Sequence, residues 1–487
     1  MNTTRHSPLP HHSFELVQRA MGVAVGSAVG DALGAPFEFG PALAFRRRFP
    51  RPVHTGTAEM VGGGPFPWAP GEFTDDTQMA LCLAESLLAN DGLDPVDLFV
   101  RFRAWRRSAV DCGIVTSSAL THDDHTTAAE SAHRATGRSA SNGALMRTWP
   151  IALKFVDADT HTVMSEAVRQ AATTHFDPAA GWAAAIASEL IRRGLLGRDP
   201  IACIDEVVAH VPDEHRARFA DMLSPSWTPH RDGDPSNGSA WTCLAQAVWA
   251  VRHHRSFEDA VVAAIELGGD TDTVASVTGA IAGARWGIQS IPCRWSTYVH
   301  GEFATPDGVS TYDYHRLLNV ARNLVGKGDA HLSPTESPAG PTRIDDLGLY
   351  VSDLGGALAS DPSFATVSLC LTAGRLDHHV IRREVYMRDE EDENLDLGSA
   401  VTGAVDSIDA LLAAGHRVLV HCHGGRSRTG LVAKAWAMRR YHFTEREAHD
   451  WLEERWHRYE DYRRSFVDFL RDEWNRDDQR IVDDSSE

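Results

Sequence analysis

An all-α domain followed by a small α/β domain is the fold class this sequence predicts. Three observations carry that reading. Through residue 325 the apolar residues recur at helical spacing and strand signals are nearly absent. Residues 326–342 are rich in Pro, Ser, Gly and Thr, the composition of a linker. Beyond them short β-branched or apolar runs alternate with helical ones, the pattern of a sheet covered by helices. The expected layout is a polar, disordered N-terminus over 1–13, a helical domain over 14–325, a linker over 326–342, an α/β domain over 343–474 and a disordered acidic tail over 475–487.

In chain order, 14–32 reads as a first helix so dense in Ala, Val and Gly that it is buried closely against others. Glu38 follows on a Pro-broken loop, and 51–71, rich in Gly and Pro, reads as an irregular loop over one end of the domain. Helical periodicity resumes over 78–88, 95–106, 178–193, 240–252, 257–267 and 274–286. Residues 292–308 read as irregular and 312–324 as the closing helix. In the second domain, strands are expected at 347–351, 366–372, 380–387 and 417–421, with helices at 399–414 and 431–441 and two more before Trp474.

Composition narrows the function. The chain has 487 residues, 43% apolar and 23% charged, as ordinary globular proteins do. A net charge of −20 argues against nucleic acid or an anionic membrane as the main partner. Seven scattered cysteines with no CxxC pair indicate neither a zinc knuckle nor a disulfide framework, and a reducing, cytoplasmic compartment is expected. The polar start has no apolar core of a signal peptide, and no apolar run is expected to span a membrane.

Two stretches carry the chemistry of the first domain. Gly268-Gly269-Asp270-Thr271-Asp272-Thr273 packs two acids and two hydroxyls just before a helix. Thr74-Asp75-Asp76-Thr77 repeats the arrangement upstream. Acids and threonines cap helices routinely. Capping does not need two neighbouring acids, a Gly-Gly lead-in and a second loop of like composition. Hard oxygen ligands of this kind suit Mg²⁺, Mn²⁺ or Ca²⁺ rather than zinc. Together the loops offer up to four carboxylates, enough for two cations. His122-Asp123-Asp124-His125, by contrast, reads as a solvated polar loop, because consecutive side chains splay apart and no periodic element frames them.

Gly30-Asp31-Ala32-Leu33-Gly34-Ala35-Pro36-Phe37-Glu38-Phe39, then Thr74–Thr77, then Ser141-Asn142-Gly143-Ala144-Leu145-Met146-Arg147, then Gly268–Thr273, resemble the ADP-ribosylglycohydrolase family in its usual motif order, over about residues 15–325. The resemblance implies two divalent cations, Mg²⁺ or Mn²⁺, held by Thr74, Asp75, Asp76, Asp270, Asp272 and Thr273. It implies that Glu38 faces the metals and assists proton transfer. It places Asp111, in Asp-x-Gly-x-x-Thr, near the ribose, and Asn142 and Gly143 near the ADP-ribose. Ser141 stands where the family more often has Gly, which narrows the pocket. His175 is expected against the ligand's rings, or else as a capping or core histidine.

His421-Cys422-His423-Gly424-Gly425-Arg426-Ser427-Arg428-Thr429-Gly430 lies between a predicted strand and a helix. A Gly-rich turn there can aim successive backbone N–H groups inward as an anion nest. The same field favours a thiolate nucleophile at Cys422. Arg428 can grip phosphate in a bidentate fork, Thr429 can donate to the thiolate, and His421 is read as holding the loop. This Cys-x5-Arg turn resembles the protein tyrosine and dual-specificity phosphatases over about 343–474; a rhodanese or arsenate-reductase relative is the rival. The resemblance implies that His423, Gly424, Gly425, Arg426, Ser427 and Thr429 line the phosphate cradle. A proton donor is expected some thirty residues earlier, where Asp389, Glu390, Glu391 and Asp392 cluster; Asp389, followed by Asn394-Leu395, is chosen and Asp392 is second.

The combined expectation is a bifunctional hydrolase. Its partners would be an ADP-ribosylated and a phosphorylated protein or small molecule. The alternatives are one phosphorylated ADP-ribose-type metabolite serving both sites, or one domain acting as a binding module only.

Overall fold

The computed structural model describes residues 13–233, 237–330, 338–389, 393–461 and 463–474. The expected N-terminal segment up to residue 12, the expected acidic tail and part of the expected linker lie outside these residues, as do Glu390, Glu391 and Asp392.

The first domain is built round one helix pair. Helix α1 (Phe14–Gly34) starts on Ser13, whose hydroxyl accepts from the Leu16 N–H. Helix α2 (Asp75–Ala89) and helix α3 (Thr271–Trp286) pack with it. Glycines at 22, 26, 30 and 34 put one bare backbone patch on each successive turn of α1. These patches meet Gly283, Gly279, Ala275 and Asp272 of α3 in that order, so the helices run antiparallel. A Cβ added at Gly279 would stand 1.9 Å from the Gly26 carbonyl oxygen, and one at Gly30 would stand 2.0 Å from the Ala275 oxygen. The backbones touch, and no side chain larger than hydrogen fits between them.

Helix α1 is long and apolar enough, by length and composition, to cross a bilayer, which corrects the expectation that no run is. Its most apolar window is 94% buried inside the domain. A helix apolar on all sides is a central core helix when others surround it.

The expected all-helical pattern carries one addition. Residues 300–313, read as irregular running into a helix, form a two-stranded antiparallel hairpin, β1 (His300–Thr305) and β2 (Gly308–Asp313). Pro306-Asp307-Gly308 supplies the turn, and β1 alternates exposed and buried residues at its start. The closing helix then begins at Tyr314 with Asp313 as its cap.

The second domain is a five-stranded sheet in the order β3-β4-β7-β5-β6. The strands are β3 (Thr342–Arg343), β4 (Leu349–Asp353), β5 (Ala365–Ser368), β6 (Arg382–Glu384) and β7 (Val418–Cys422). All pairs are parallel except β3–β4. Strand β7 is central and buried throughout, so Cys422 ends at the carboxyl edge of the sheet. Helices α4 (Leu397–Ala413) and α5 (Ser427–Tyr441) pack beside it.

The domains meet through directional polar contacts. Arg383, fully buried in β6, donates to the carbonyls of His54 (2.6 Å) and Gly56 (3.2 Å) and to the Tyr298 hydroxyl (2.8 Å). The 51–71 loop therefore serves as a docking ledge for the second domain. Nearby, a cleft of about 550 Å³ lies between the domains, bordered by Arg294, Glu258, Gln289 and Asp406.

The helix contact yields a stability prediction. Gly279→Ala should destabilise the protein by about 1–3 kcal/mol through overpacking. Gly92→Ala, where an added Cβ meets nothing within 4 Å, should shift stability by less than about 0.5 kcal/mol. Thermal or urea melts of the two variants would separate close approach from a general intolerance of Gly→Ala.

Candidate functional sites

The first site gathers at the C-terminal end of α1. Asp31, fully buried, accepts hydrogen bonds from the backbone N–H groups of Thr74 (3.0 Å) and Thr77 (3.0 Å) and from the Thr77 hydroxyl (2.6 Å). These are the donors a helix start leaves open, so α1 caps α2 across the core. Asp75 and Asp76 then fall in the first turn of α2. In α3, Asp270 is the N-cap residue and Asp272 lies in the first turn.

Three contacts draw the pieces together. Gly268 and Gly269, both at φ +73°, turn the chain sharply before Asp270. Phe39 N–H donates to the Gly269 carbonyl (2.7 Å) and Gly269 N–H to the Gly40 carbonyl (3.1 Å), so the Glu38 loop is laced to the Asp270 loop. The Thr273 hydroxyl donates to Asp76 (3.2 Å), joining the two acid loops. Glu38, Asp270 and Asp272 each offer a carboxylate oxygen within 4.8 Å of the others. Asp270 is steadied by Asn142, whose amide donates to its carboxylate (2.8 Å), and by Asn237, which accepts from its backbone N–H (2.7 Å).

Such a cluster is electrostatically costly. Burial, then repulsion from Asp111 and Asp270, pushes the Glu38 carboxyl up to about 9. Burial and the neighbouring acids hold Asp75, Asp76 and Asp272 well above the ordinary carboxylate range. Burial raises Asp31 to about 6 against the hydrogen bonds from Thr77 and Thr74. Asp76 Oδ1 and Glu38 Oε2 are buried without a hydrogen-bond partner. Oxygen-only donors, unpartnered lone pairs and mutual repulsion all fit a hard divalent cation.

The expected ligand-facing residues converge beside this cluster. A Cβ on Gly143 would stand 3.1 Å from the Thr116 hydroxyl and 3.2 Å from His175 Cε1. His175 is buried, with Nε2 2.8 Å from the Ser141 hydroxyl and Nδ1 2.8 Å from the Thr174 hydroxyl. Burial, with Arg147 next, lowers it to about 3, so it is neutral. Both ring nitrogens are engaged within the domain, as in the core-histidine alternative, while Cε1 faces Gly143. Asp111 is half-buried and raised by burial and by Asp270. His122–His125 is a polar loop, as expected: Asp123 pairs with Arg103 and Asp124 accepts from Thr126.

The second site forms where β7 runs into α5. Gly425, at φ +65°, presses against β4, where a Cβ would stand 2.8 Å from the Ser352 carbonyl oxygen. Its own carbonyl accepts from Trp456 Nε1 (2.7 Å), and the His423 carbonyl accepts from Leu354 N–H (3.2 Å). The turn 423–426 is thus pinned from both sides, and Ser427 opens α5. Arg428 Nη1 donates to the carbonyls of Leu369 (2.8 Å) and Met387 (3.1 Å), which fixes the guanidinium plane. Arg428 Nε and the Thr429 hydroxyl are buried without hydrogen-bond partners, donors left over in an anion cradle. His421 Nε2 lies 2.7 Å from the Ser368 hydroxyl, and burial lowers that ring to about 4. It braces β7 against β5 one residue before Cys422. Asp389 reaches this mouth: its carboxylate accepts from the Ser427 hydroxyl and lies 3.8 Å from Arg428 Nε.

Residues 13–331 match the family described as ADP-ribosylglycohydrolase, about two thirds of the chain. The chain belongs to the ADP-ribosylglycohydrolase family. Residues 373–470 match the dual specificity phosphatase catalytic domain, so both domains belong to enzyme families. Among the similar proteins is the ADP-ribosylarginine hydrolase Tri1 of Serratia proteamaculans, 31% identical over 58% of this chain and 75% of its own length. Another is the ADP-ribosyl-[dinitrogen reductase] glycohydrolase of Rhodospirillum rubrum, 30% identical over 57% of this chain and 88% of its own. A solved structure titled "ADP-ribosylglycohydrolase-related protein complex" superposes with a TM-score of 0.50 at 32% identity, covering 64% of this chain and 99% of that one.

Within this glycohydrolase two contributors escape the sequence reading. Asp31 was visible as an acid at the end of an apolar helix, a place where burial needs a partner. Asn237, which holds the Asp270 backbone, gave no signal beyond standing before Gly238.

The acid cluster sets a pH dependence. For Glu38 and Asp31 the folded pKa lies above the unfolded value, 4.5 and 3.8 respectively, so the folded chain binds more protons in that window. Stability of protein stripped of divalent cations should therefore fall as pH rises from about 5 to 9. Adding Mg²⁺ or Mn²⁺ should flatten the fall, because a cation favours the ionised acids. Melting temperatures across that range, with chelator and with metal, would check both.

Proposed function

We propose that this chain is a bifunctional hydrolase. One domain would remove ADP-ribose from a modified acceptor in a metal-dependent reaction. The other would hydrolyse phosphate monoesters through a cysteine. The observation that carries the first reading is the meeting of Glu38, Asp270 and Asp272 within 4.8 Å, joined to Asp76 through Thr273. That arrangement supports two cations held by Thr74, Asp75, Asp76, Asp270, Asp272 and Thr273. When bound, Mg²⁺ or Mn²⁺ supplies Lewis-acid polarisation of the ribose hydroxyls and of a water. Asn142 and Asn237 keep Asp270 oriented, and Glu38 handles the proton as the bond at ribose C1″ breaks. Water oxygen ends on C1″ and its proton on the departing acceptor. The acceptor bond we assign is that of ADP-ribosylarginine, the substrate named for the Tri1 relatives.

In the second domain Cys422, at the end of the central strand, attacks phosphorus to give a phosphocysteine that water hydrolyses. Arg428 and the turn's N–H groups hold the phosphoryl oxygens, and His423, Gly424, Gly425, Arg426, Ser427 and Thr429 shape the cradle. Asp389 gives its proton to the leaving oxygen, supported by its place against Ser427 at the mouth. The partners we assign are an ADP-ribosylated and a phosphorylated protein or small molecule. Seven free thiols fit a reducing, cytoplasmic setting.

The two chemistries should separate by mutation. Asp270→Ala should abolish release of ADP-ribose from ADP-ribosylarginine and leave phosphatase turnover intact, and chelator should do the same. Cys422→Ser should reduce phosphatase turnover to background while phosphate still binds. Full glycohydrolase activity in metal-free protein, or normal phosphatase turnover in Cys422→Ser, would refute the corresponding half. Asp389→Asn should lower turnover by about 10²–10⁴-fold for alkyl phosphates, where the leaving group needs the proton. Its effect on p-nitrophenyl phosphate should be smaller.

A further inference from the structure

The helical domain reaches directly into the phosphatase segment that bears Asp389. Gln18 of α1, 1% exposed, donates through Nε2 to the Glu393 carbonyl (2.7 Å) and accepts at Oε1 from the Leu395 N–H (3.2 Å). Gln289, 5% exposed and just beyond the end of α3, donates to the Tyr386 carbonyl (3.2 Å) and to Asn394 Oδ1 (2.8 Å). Its Oε1 accepts from the Asp396 N–H (2.8 Å). Each glutamine amide thus uses both its donor and its acceptor on the same short stretch.

These contacts lead to Asp389 by a short path. Asn394 Oδ1 also accepts from the Arg388 N–H (2.9 Å), and Asn394 Nδ2 donates to the Arg388 carbonyl (3.1 Å). Arg388, one peptide from Asp389, pairs with Glu393 (2.8 Å) and lies over the Phe14 ring (5.3 Å). From the other side Arg428 holds the Met387 carbonyl (3.1 Å). Residues 386–389 are therefore tied at one end to the phosphate-gripping arginine and at the other to two buried amides of a different domain. Simple adhesion between domains is already supplied by Arg383, elsewhere on the interface.

We propose that Gln18 and Gln289 are positioning residues for the phosphatase reaction: the glycohydrolase domain holds the general-acid segment over the Cys422 cradle. The proposal rests on the reading of that segment as the source of the leaving-group proton. Buried amides that lose their partners cannot be satisfied by water, so the segment would shift when either glutamine is removed. A displacement of about 1 Å is enough to cost on the order of a hundredfold where a proton must be delivered.

The test uses the full chain carrying Gln18→Met, Gln289→Met and both, substitutions that keep volume and delete the hydrogen bonds. Turnover of an alkyl phosphate should fall by about tenfold to a hundredfold. Turnover of p-nitrophenyl phosphate should fall much less, and the limb of the pH profile due to the acid should flatten. Release of ADP-ribose from ADP-ribosylarginine should stay within about twofold of wild type, confirming that all three variants fold. If the double variant melts early, the single variants carry the same comparison. Equal losses on the two phosphates, or no loss, would overturn the proposal. Asp389→Asn, run in parallel, judges the underlying reading separately: a loss independent of the leaving group would remove Asp389 as donor, while the glutamine variants still decide the positioning.

Discussion

The contact on which the rest depends is backbone against backbone between α1 and α3. Glycine on each successive turn of α1 lets the two backbones touch, and this close approach, with the Ser27–Ser276 hydroxyl contact (2.9 Å), fixes the register. Sliding by one residue would drive a Val or an Ala into a carbonyl of the facing helix. Because the register is fixed, Gly34 must lie against Asp272 and Asp31 must face the start of α2. The acid cluster is thus positioned by the core together with the hydrogen bonds that lace its loops. Loops alone, carrying acids that repel one another, would not stay together.

That repulsion is the other side of the same design. Burial and neighbouring charge push Glu38 up to about 9, and the remaining core must offset that penalty in the metal-free chain. Strain of this kind is tolerated where surrounding structure over-determines the geometry. Here the surroundings are the glycine seam, the Asp31 cap on α2 and the two asparagines on Asp270.

Much of this was legible in the sequence because the signals were local. Gly268-Gly269 before two acids declared a sharp turn at a helix start, and Cys-x5-Arg between a strand and a helix declared an anion cradle. The expected strands and helices of the second domain lie within about four residues of the observed ends, whereas β3 at Thr342–Arg343, which starts inside the expected linker, and a short helix at Leu354–Leu358 carry no sequence expectation. What was not legible was non-local. The hairpin over His300–Asp313 gives little sequence signal because its alternation is short and its turn contains a Pro. Asn237 acts only on a partner thirty-three residues away. Arg383 is one charged residue within an expected strand, and its acceptors include carbonyls more than three hundred residues upstream. No periodicity records such a pairing, because each half is unremarkable in its own stretch.

The same reasoning changes what the join between the domains means. A linker composition over 326–342 suggests two bodies that merely travel together. The described interface is built instead from bonds that specify direction: a buried guanidinium on carbonyls, a hydroxyl on a strand N–H, two side-chain amides on a loop backbone. Bonds of this type contribute modestly to adhesion, since each replaces one to water, yet they fix orientation closely because the unmade bond is costly once buried. Helix α1 carries that orientation over about 20 Å, from Asp31 beside the acid cluster to Gln18 beside the phosphatase loop. One helix therefore runs from the acid cluster to residues 393–395 of the second domain. Under the positioning proposed for Gln18 and Gln289, the seam that sets the first site would also set where Asp389 stands over the Cys422 turn.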